Sequence, residues 1–582
     1  VGVYYVDQKD GNDTTGSGTS DSPWKTIQKA LDYSDATART INVRKDVQTG
    51  EEPAHIQIKT THNWTSCVVV GCDSSWNPIA ETDDTRPLVR INDTMYTIRN
   101  NLRNGTSIEF RYLRFVNNGA TESNNAFINW EGNAFNGGLS LKCVGCLFTI
   151  SRAETRYFFT SSLWSGVGRT CEFDRCTVDA DSATYATALV RDWESWIFRN
   201  GTWIQPLTTA SSMLSVSTST KDVLVTHSTL RARTFANTSQ ITTSTTDSAL
   251  VIRNCDFTGC NLVTAPKYWD LVVVRSNTLH IQWAAGVTFV IQIGTSTETE
   301  ANPVKMAIVF NNNKMQDESG TPPSGAHYLM IGFKVPGLVA YNRFVQKYGL
   351  SADVDYGFVI KGSDVTVFWN WLACIYPLYA VGCQRCKFIS NTAVAINSTY
   401  GFAFGMTLTA GGTVPPRYNI VINNVFVSSH NTPRTFAGLG GGLGPTYWAA
   451  SDQRNLFNLN CWYCEGTNSV CFAQLETASG TGQAATFEEY VAKWAENANS
   501  RLFAGNEASS ASYNPLIGGA TSGGWKNGVL GVWNRPPVVP PGSAPEMRID
   551  DLDFQLPLGG AGGPGETNIH YIDDTGWQQW KY

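Results

Sequence analysis

Between Leu113 and Asn424 the chain repeats one short phrase twelve times: alternating apolar residues, a small or polar anchor, one spacer, and another apolar residue. The anchors are Leu113, Cys146, Cys176, Gly201, Ser228, Cys255, Asn277, Asn313, Asn342, Asn370, Asn391 and Asn424, separated by 21 to 36 residues. The residues three before the anchors run from Phe110 through Val274 and Phe310 to Val421. Those two after run from Phe115 through Leu279 and Met315 to Phe426. Both rows are apolar almost throughout. A period of two places alternate side chains on opposite faces of a strand, so these rows are read as columns facing a core. Recurrence every 20–40 residues without a strict period predicts a solenoid with loops of variable length. Strands running in one direction, one set per coil, predict a parallel β-helix with rungs about 4.8 Å apart. Asparagine at a fixed corner can bond the same amide one rung above and below, which satisfies a buried polar side chain.

The beginning of the chain carries a second pattern: Tyr4-Tyr5-Val6-Asp7, Gly11-Asn12-Asp13, Gly18-Thr19, then Ser22-Pro23-Trp24-Lys25-Thr26-Ile27-Gln28-Lys29-Ala30-Leu31. Ile27, Ala30 and Leu31 share one helical face. This opening resembles that of the pectin-lyase-like right-handed β-helix superfamily, whose members include secreted polysaccharide lyases and hydrolases and the tailspikes and fibres of bacteriophages. The resemblance covers roughly residues 3–430. It implies an all-β, right-handed parallel β-helix with an N-terminal capping helix and a mixed C-terminal cap. The expected organisation is a strand and capping helix over 1–40, the β-helix over 41–430, a cap over 431–534, and a Pro/Gly-rich linker and tail over 535–582. Within the cap, Thr486-Phe487-Glu488-Glu489 has the form of a capping box that opens a helix through Ala498. Ala437 to Pro445 reads as a glycine-rich loop, Arg535 to Gly542 as an extended linker, and Asp553-Phe554-Gln555-Leu556-Pro557 as a closing segment like that of bacterial and phage β-helix proteins.

Composition narrows the partners. Charged residues make up 16% of the 582, the net charge is −6, and no dense basic block exists to neutralise phosphates, which argues against nucleic acid. No apolar run of about 18 residues is present, so no membrane-spanning segment is expected. Val1 stands directly before the first strand, as removal of either a signal peptide or an initiator Met would leave it. Of the 14 cysteines, most fall in close pairs. Cys146 and Cys176 hold one corner on adjacent rungs at a spacing compatible with a disulfide, and Cys67 and Cys72 form another candidate pair. Cys461-x-x-Cys464 with Cys471 lacks a fourth ligand at finger spacing, so no metal site is assigned. The seven Asn-x-Ser/Thr sequons are about what chance yields in this composition.

The residues between the core positions should face outward, where function would be found. Ile197, Leu224, Val251, Val273, Val309 and Leu338 form an aliphatic ridge, expected to be exposed and therefore covered by another subunit, as in a homotrimer, or by the chain itself. Arg111, Arg199, Arg253 and Arg275 form a loose stripe able to pair with the carboxylates of an acidic polysaccharide, or simply a solvated face. Trp369 and Trp371 are candidates for stacking on sugar rings. Asp353, Asp355 and Lys361, with His327, Lys334 and Lys347 nearby, make the densest candidate catalytic cluster, but it matches no specific signature. Glu109, Lys142 and Glu172 read as a surface salt-bridge ladder. The expected function is a surface-exposed attachment protein, such as a spike, fibre or decoration unit of a virion, that presents a β-helix to glycans and needs no cofactor. The alternative is a secreted polysaccharide lyase or glycoside hydrolase, with calcium as cofactor if a lyase. The expected location is extracellular or on a virion surface, with other virion proteins as further partners.

Overall fold

The computed structural model describes the chain from residue 1 to 428 apart from inter-strand loops of at most eight residues, and beyond that short stretches to 504, together with 569–573 and 576–580. The expected helix at Thr486–Ala498, the linker Arg535–Gly542, the segment Asp553–Pro557 and most of the loop Ala437–Pro445 lie outside the described residues.

The fold is a right-handed parallel β-helix, nearly all strand, and it divides into two compact units, Val1–Gly259 with His570–Gln578 and Cys260–Ile569 with Gln579–Tyr582. Each coil contributes up to three strands, one to each of three faces, and each strand pairs in parallel with its counterpart on the next coil. In the first unit the first face runs Ser107–Arg111, Leu139–Val144, Arg169–Asp174, Ser195–Arg199, Asp222–Thr226, Ala249–Arg253. In the second it runs Leu271–Arg275, Ala307–Phe310, Gly337–Ala340, Val365–Phe368, Lys387–Ile389, Ile420–Ile422. Parallel pairing continues past residue 430, with Leu456–Asn458 on Ile420–Ile422 and Arg501–Ala504 on Cys461–Cys464. Near the N-terminus, the helix Ile27–Asp32 starts at Thr26, whose side chain accepts from the Lys29 amide, and it buries Ile27, Ala30 and Leu31.

The inner columns fall where the alternation places them. Phe110, Cys143, Phe173, Phe198, Val225 and Ile252 stack in register and are fully buried, as are Val274, Val309, Val339, Val367, Phe388 and Val421. Aromatic rings fill the first unit, with Phe115 stacked on Phe148 at 5.5 Å and Phe158 edge-on to Trp203 at 5.3 Å.

Between the first and second faces, each coil from that of Leu113 to that of Asn391 turns on one residue in the left-handed region, immediately before the anchor. These are Tyr112, Gly145, Arg175, Asn200, His227 and Asn254 in the first unit, and Ser276, Asn311, Tyr341, Trp369 and Ser390 in the second, with φ between 49° and 59°. A non-glycine residue there costs of order 1–3 kcal/mol, so the surrounding contacts must over-determine it. Two sets of bonds do so. The amide of the turning residue donates to a carbonyl on the next coil, as from Tyr341 to Phe368 at 3.2 Å and from Asn311 to Ala340 at 3.0 Å. In the second unit the anchors form a continuous amide ladder, Asn277–Asn312–Asn342–Asn370–Asn391–Asn424, with Nδ2 of each donating to Oδ1 of the next at 2.9–3.0 Å. The same Oδ1 also accepts the previous anchor's backbone amide at 2.9–3.1 Å. The second Nδ2 proton goes to a carbonyl on the coil before, as from Asn370 to Val339 at 2.8 Å.

The ladder corrects one coil of the sequence reading. Its member is Asn312, not Asn313, and the whole frame moves by one residue. Val309 therefore faces the core rather than the outer ridge, Phe310 faces outward, Met315 is 36% exposed, and Lys314 takes the core position. Three consecutive asparagines, Asn311 to Asn313, gave the pattern no means of choosing among them, and a methionine two residues on drew the choice the wrong way.

Eleven cysteines, from Cys67 to Cys386, are free and buried, so the structure joins neither candidate pair. Cys67 and Cys72 sit five residues apart in the strand Ser66–Cys72, which holds them about 16 Å apart. The Cys146 and Cys176 thiols instead donate to the carbonyls of Phe110 at 3.4 Å and Cys143 at 3.3 Å, the position that an anchor amide uses in the other unit. Burial pushes the Cys143, Cys171 and Cys176 thiols well above their ordinary range and Cys255 to about 12, which suppresses the thiolate at those four. At Cys146 burial acts the same way, but the bond from the Cys176 thiol and backbone bonds outweigh it and lower the pKa.

Replacing Asn312 by Ala should cost roughly 2–4 kcal/mol in urea unfolding, because it strands the Asn277 amide and the Val274 carbonyl in the core. Asn313→Ala, at an exposed position, should change stability by less than about 0.5 kcal/mol. Equal effects of the two substitutions would contradict the frame.

Candidate functional site

Outward positions on the first face of the first unit are occupied by charges that satisfy one another. Glu109, Lys142 and Glu172 are in register on adjacent coils, with Lys142 Nζ 3.5 Å from Glu172, as a surface salt-bridge ladder requires. Arg111 donates to Glu109 at 2.9 Å, and Arg199 pairs with Glu172 at 2.6 Å and approaches Asp174 at 3.6 Å. Arg253 is 8% exposed. Three of the four stripe arginines are thus spent within the chain or withdrawn from its surface.

The aliphatic row is in place but is not an exposed ridge. Ile197, Leu224 and Val251 stack in register, as do Val273, Ile308 and Leu338. Leu224, Val251 and Val273 are buried within the one chain, and Ile197 and Leu338 are half-buried.

A different feature stands on the second unit. Arg275, an exposed residue, lays its guanidinium over the Phe310 ring at 5.5 Å. Phe310 lies 5.3 Å from Tyr341, and Tyr341 lies 5.5 Å from Trp369. The three aromatics are half-buried and rest on a floor of Ala340, Phe368 and Ile389. Tyr341 and Trp369 are the left-handed turning residues of successive coils, so the corner itself aims them outward. Their planes are inclined at 60° and 54° to their neighbours, which leaves ring faces open rather than stacked on each other. Two of the sequence candidates, Arg275 and Trp369, are joined here by two residues that the pattern misplaced or passed over. Trp371 is not among them: it is 7% exposed, beneath the Arg343 guanidinium at 5.4 Å.

The third face of the same unit carries a second aromatic column: Phe289, His327, Tyr356, Tyr376 and Phe402, with centroids 4.7, 4.5, 5.1 and 4.6 Å apart. These planes diverge by only 21–41°, so each ring covers its neighbour's face and the column shows mainly edges. Gly405 lies beneath this surface. A Cβ there would stand 2.1 Å from Phe402 Cε2 and 2.8 Å from Tyr379 Cδ2.

The catalytic candidates surround that column. His327 Nδ1 bonds the Gly325 carbonyl at 2.5 Å, so Nδ1 carries the proton and Nε2 the lone pair. Burial lowers the His327 pKa to about 4, and the Lys361 charge adds to the effect. Burial also lowers the Lys361 pKa, and its ammonium sits 5.6 Å over the Phe333 ring. Asp355 accepts from the Gly325 amide, while Asp353 accepts from Gln346 at 2.6 Å. The two aspartates are thus each engaged with the chain. Among the described residues no three His, Cys, Asp or Glu side chains converge as a metal centre would require.

One buried charge went unseen in the sequence. Lys314 Nζ meets Glu318 Oε2 at 2.6 Å, both side chains fully buried. Glu318 also accepts from Trp283 Nε1 at 2.7 Å, Tyr328 at 3.0 Å and the Lys347 amide at 2.9 Å. Burial lowers the Lys314 pKa, and Glu318 opposes the shift. The signal was a lysine in a core column, visible only once the frame is set by Asn312.

Neither a family model nor a curated protein matches the chain. Among solved structures it is similar to tailspike protein 3 of bacteriophage CBA120 (10% identity, 82% of this chain and 62% of that one, TM-score 0.30). It is also similar to the lacto-N-biosidase of Eubacterium ramulus (12%, 74% and 64%, TM-score 0.23) and to a rhamnogalacturonan lyase (11%, 73% and 87%, TM-score 0.15). The chain spans less than two thirds of the first two. Scores of this size carry no argument, and the fold rests on its own strand register.

His327 ordinarily titrates near 6.5 and in the folded chain near 4. The unfolded chain thus takes up the proton more readily, and stability falls as pH drops from 6.5 towards 4. Allowing for partial solvent access, the loss is at most about 2–3 kcal/mol. Urea titrations across this range should show a shallower fall for His327→Phe. An unchanged pH dependence would contradict the assignment.

Proposed function

We propose that this chain is a surface-exposed attachment protein, a spike, fibre or decoration unit at the surface of a virion, that holds a glycan on the outside of its β-helix. The observation that carries this reading is the ridge Arg275–Phe310–Tyr341–Trp369. Sugars present apolar C–H faces that pack on open aromatic faces, while their hydroxyls stay in water. A ridge with inclined rings and a terminal guanidinium suits such a ligand. The charge balance agrees, since a net −6 chain without a basic block is poorly suited to a nucleic acid. The aliphatic row, largely covered within the chain, does not by itself call for a partner subunit.

A second reading, polysaccharide lyase, is favoured by one specific arrangement: the neutral His327 with its free lone pair beside Lys361, whose proton is held less tightly than usual. His327 Nε2 can accept a proton from carbon next to a uronate carboxylate, with the Lys361 ammonium beside it to pair with that carboxylate.

On an array of bacterial and plant polysaccharides, binding should be found and should weaken about tenfold, or about 1.4 kcal/mol, in Trp369→Ala and in Tyr341→Ala. Tyr379→Ala, on the other face, should leave it unchanged. Binding that tracks Tyr379 and ignores Trp369 would refute the ridge as the site. Incubation with uronate polymers should yield no unsaturated product; if product forms and Lys361→Ala abolishes it, the lyase reading replaces this one.

A further inference from the structure

The direction of the ridge limits what can lie on it. Its four members come from four consecutive coils: Arg275 is in register with Phe310, Phe310 with Ala340 and Ala340 with Phe368, while Tyr341 and Trp369 follow Ala340 and Phe368 at the corner. The ridge therefore runs parallel to the stacking direction, and its repeat is the rung spacing of about 4.8 Å, giving about 14 Å over three steps. That repeat is comparable to the advance of one sugar in an extended polymer, so successive aromatics meet successive rings. Ala340, Phe368 and Ile389 are buried and pack against the aromatics, and their column of paired strands runs on in register to Ile422.

We infer that the ridge takes an internal stretch of a linear, extended polysaccharide laid along the stacking direction, about three sugars on the aromatics, with a carboxylate-bearing sugar at the Arg275 end. The inference rests on the glycan reading above. A branched or strongly coiled glycan would leave ring contacts unmade, and a site for chain ends would need a closed pocket rather than an open ridge. Arg275 stands at one end of the row, and its guanidinium keeps one side against Phe310 while its donors remain in water, placed to bond a carboxylate from the polymer.

The test is a length series of two linear oligosaccharides, oligogalacturonates and cello-oligosaccharides, titrated calorimetrically against the full chain. Affinity for at least one series should rise roughly three- to tenfold per added sugar until the ridge is covered, then level off. Galacturonates should be favoured over neutral oligomers of equal length, and Arg275→Gln should remove that advantage, a change of roughly tenfold, without altering neutral binding. If monomers bind as well as longer chains, or blocking the reducing end abolishes binding, the axial placement is overturned while the aromatic platform survives. If Arg275→Gln weakens both series equally, the carboxylate assignment fails. If no oligomer of either series binds, the glycan reading falls with it.

Discussion

From Tyr112 to Ser390 each coil of this protein depends on one tight corner, where a single left-handed residue bends the chain and leaves backbone groups facing the core beyond the reach of ordinary strand pairing. In the second unit the next residue closes that gap. One asparagine amide accepts two N–H groups and donates two, so the side chain and the backbone around it are satisfied together. Because each amide engages the coils before and after, a slip of one residue in any coil would break bonds in its neighbours too. Register is thereby specified locally, coil by coil, although coil lengths vary from 21 to 35 residues between successive ladder members.

The first unit meets the same constraint with weaker chemistry. Cys146, Cys176, Ser228 and Cys255 each donate a single proton to a carbonyl, and Gly201 donates none from a side chain. At Gly201 the coils come so close that a Cβ would lie 2.5 Å from the Cys176 carbonyl oxygen. What the corner lacks in polar bonds is supplied by packing, with Phe110, Phe148, Phe173, Phe198 and Trp203 filling the interior. The buried thiols act as small polar fillers in this scheme, with no disulfide involved.

Most of the inner rows could be read from alternation alone, because burial on one face leaves a clear period-two signature. The pattern lost its place where the chemistry was redundant or unusual. Asn311, Asn312 and Asn313 offered three equivalent anchors, and Lys314 occupied a core position only because Glu318, four residues on, could accompany it into the interior. The turning residues were invisible for a related reason: Tyr341 and Trp369 are not residue types associated with left-handed backbone, and only the bonds of neighbouring coils hold them there. The ridge was consequently half legible. Trp369 and Arg275 could be picked out, but Phe310 had been assigned to the core and Tyr341 to no row. Pairing on the outer face was harder still, since whether an arginine is free depends on carboxylates brought beside it by the fold.

The functional account follows from that corner. By holding coils in register it aligns the turning residues into a row, and where two of them are tyrosine and tryptophan the row becomes a surface for a ligand. The most direct measurement is hydroxyl-radical footprinting of the intact chain with and without a bound polysaccharide. The account predicts protection concentrated at Phe310, Tyr341 and Trp369, with Tyr356, Tyr376 and Tyr379 unchanged. Protection centred on those third-face tyrosines, with the ridge still reactive, would contradict it.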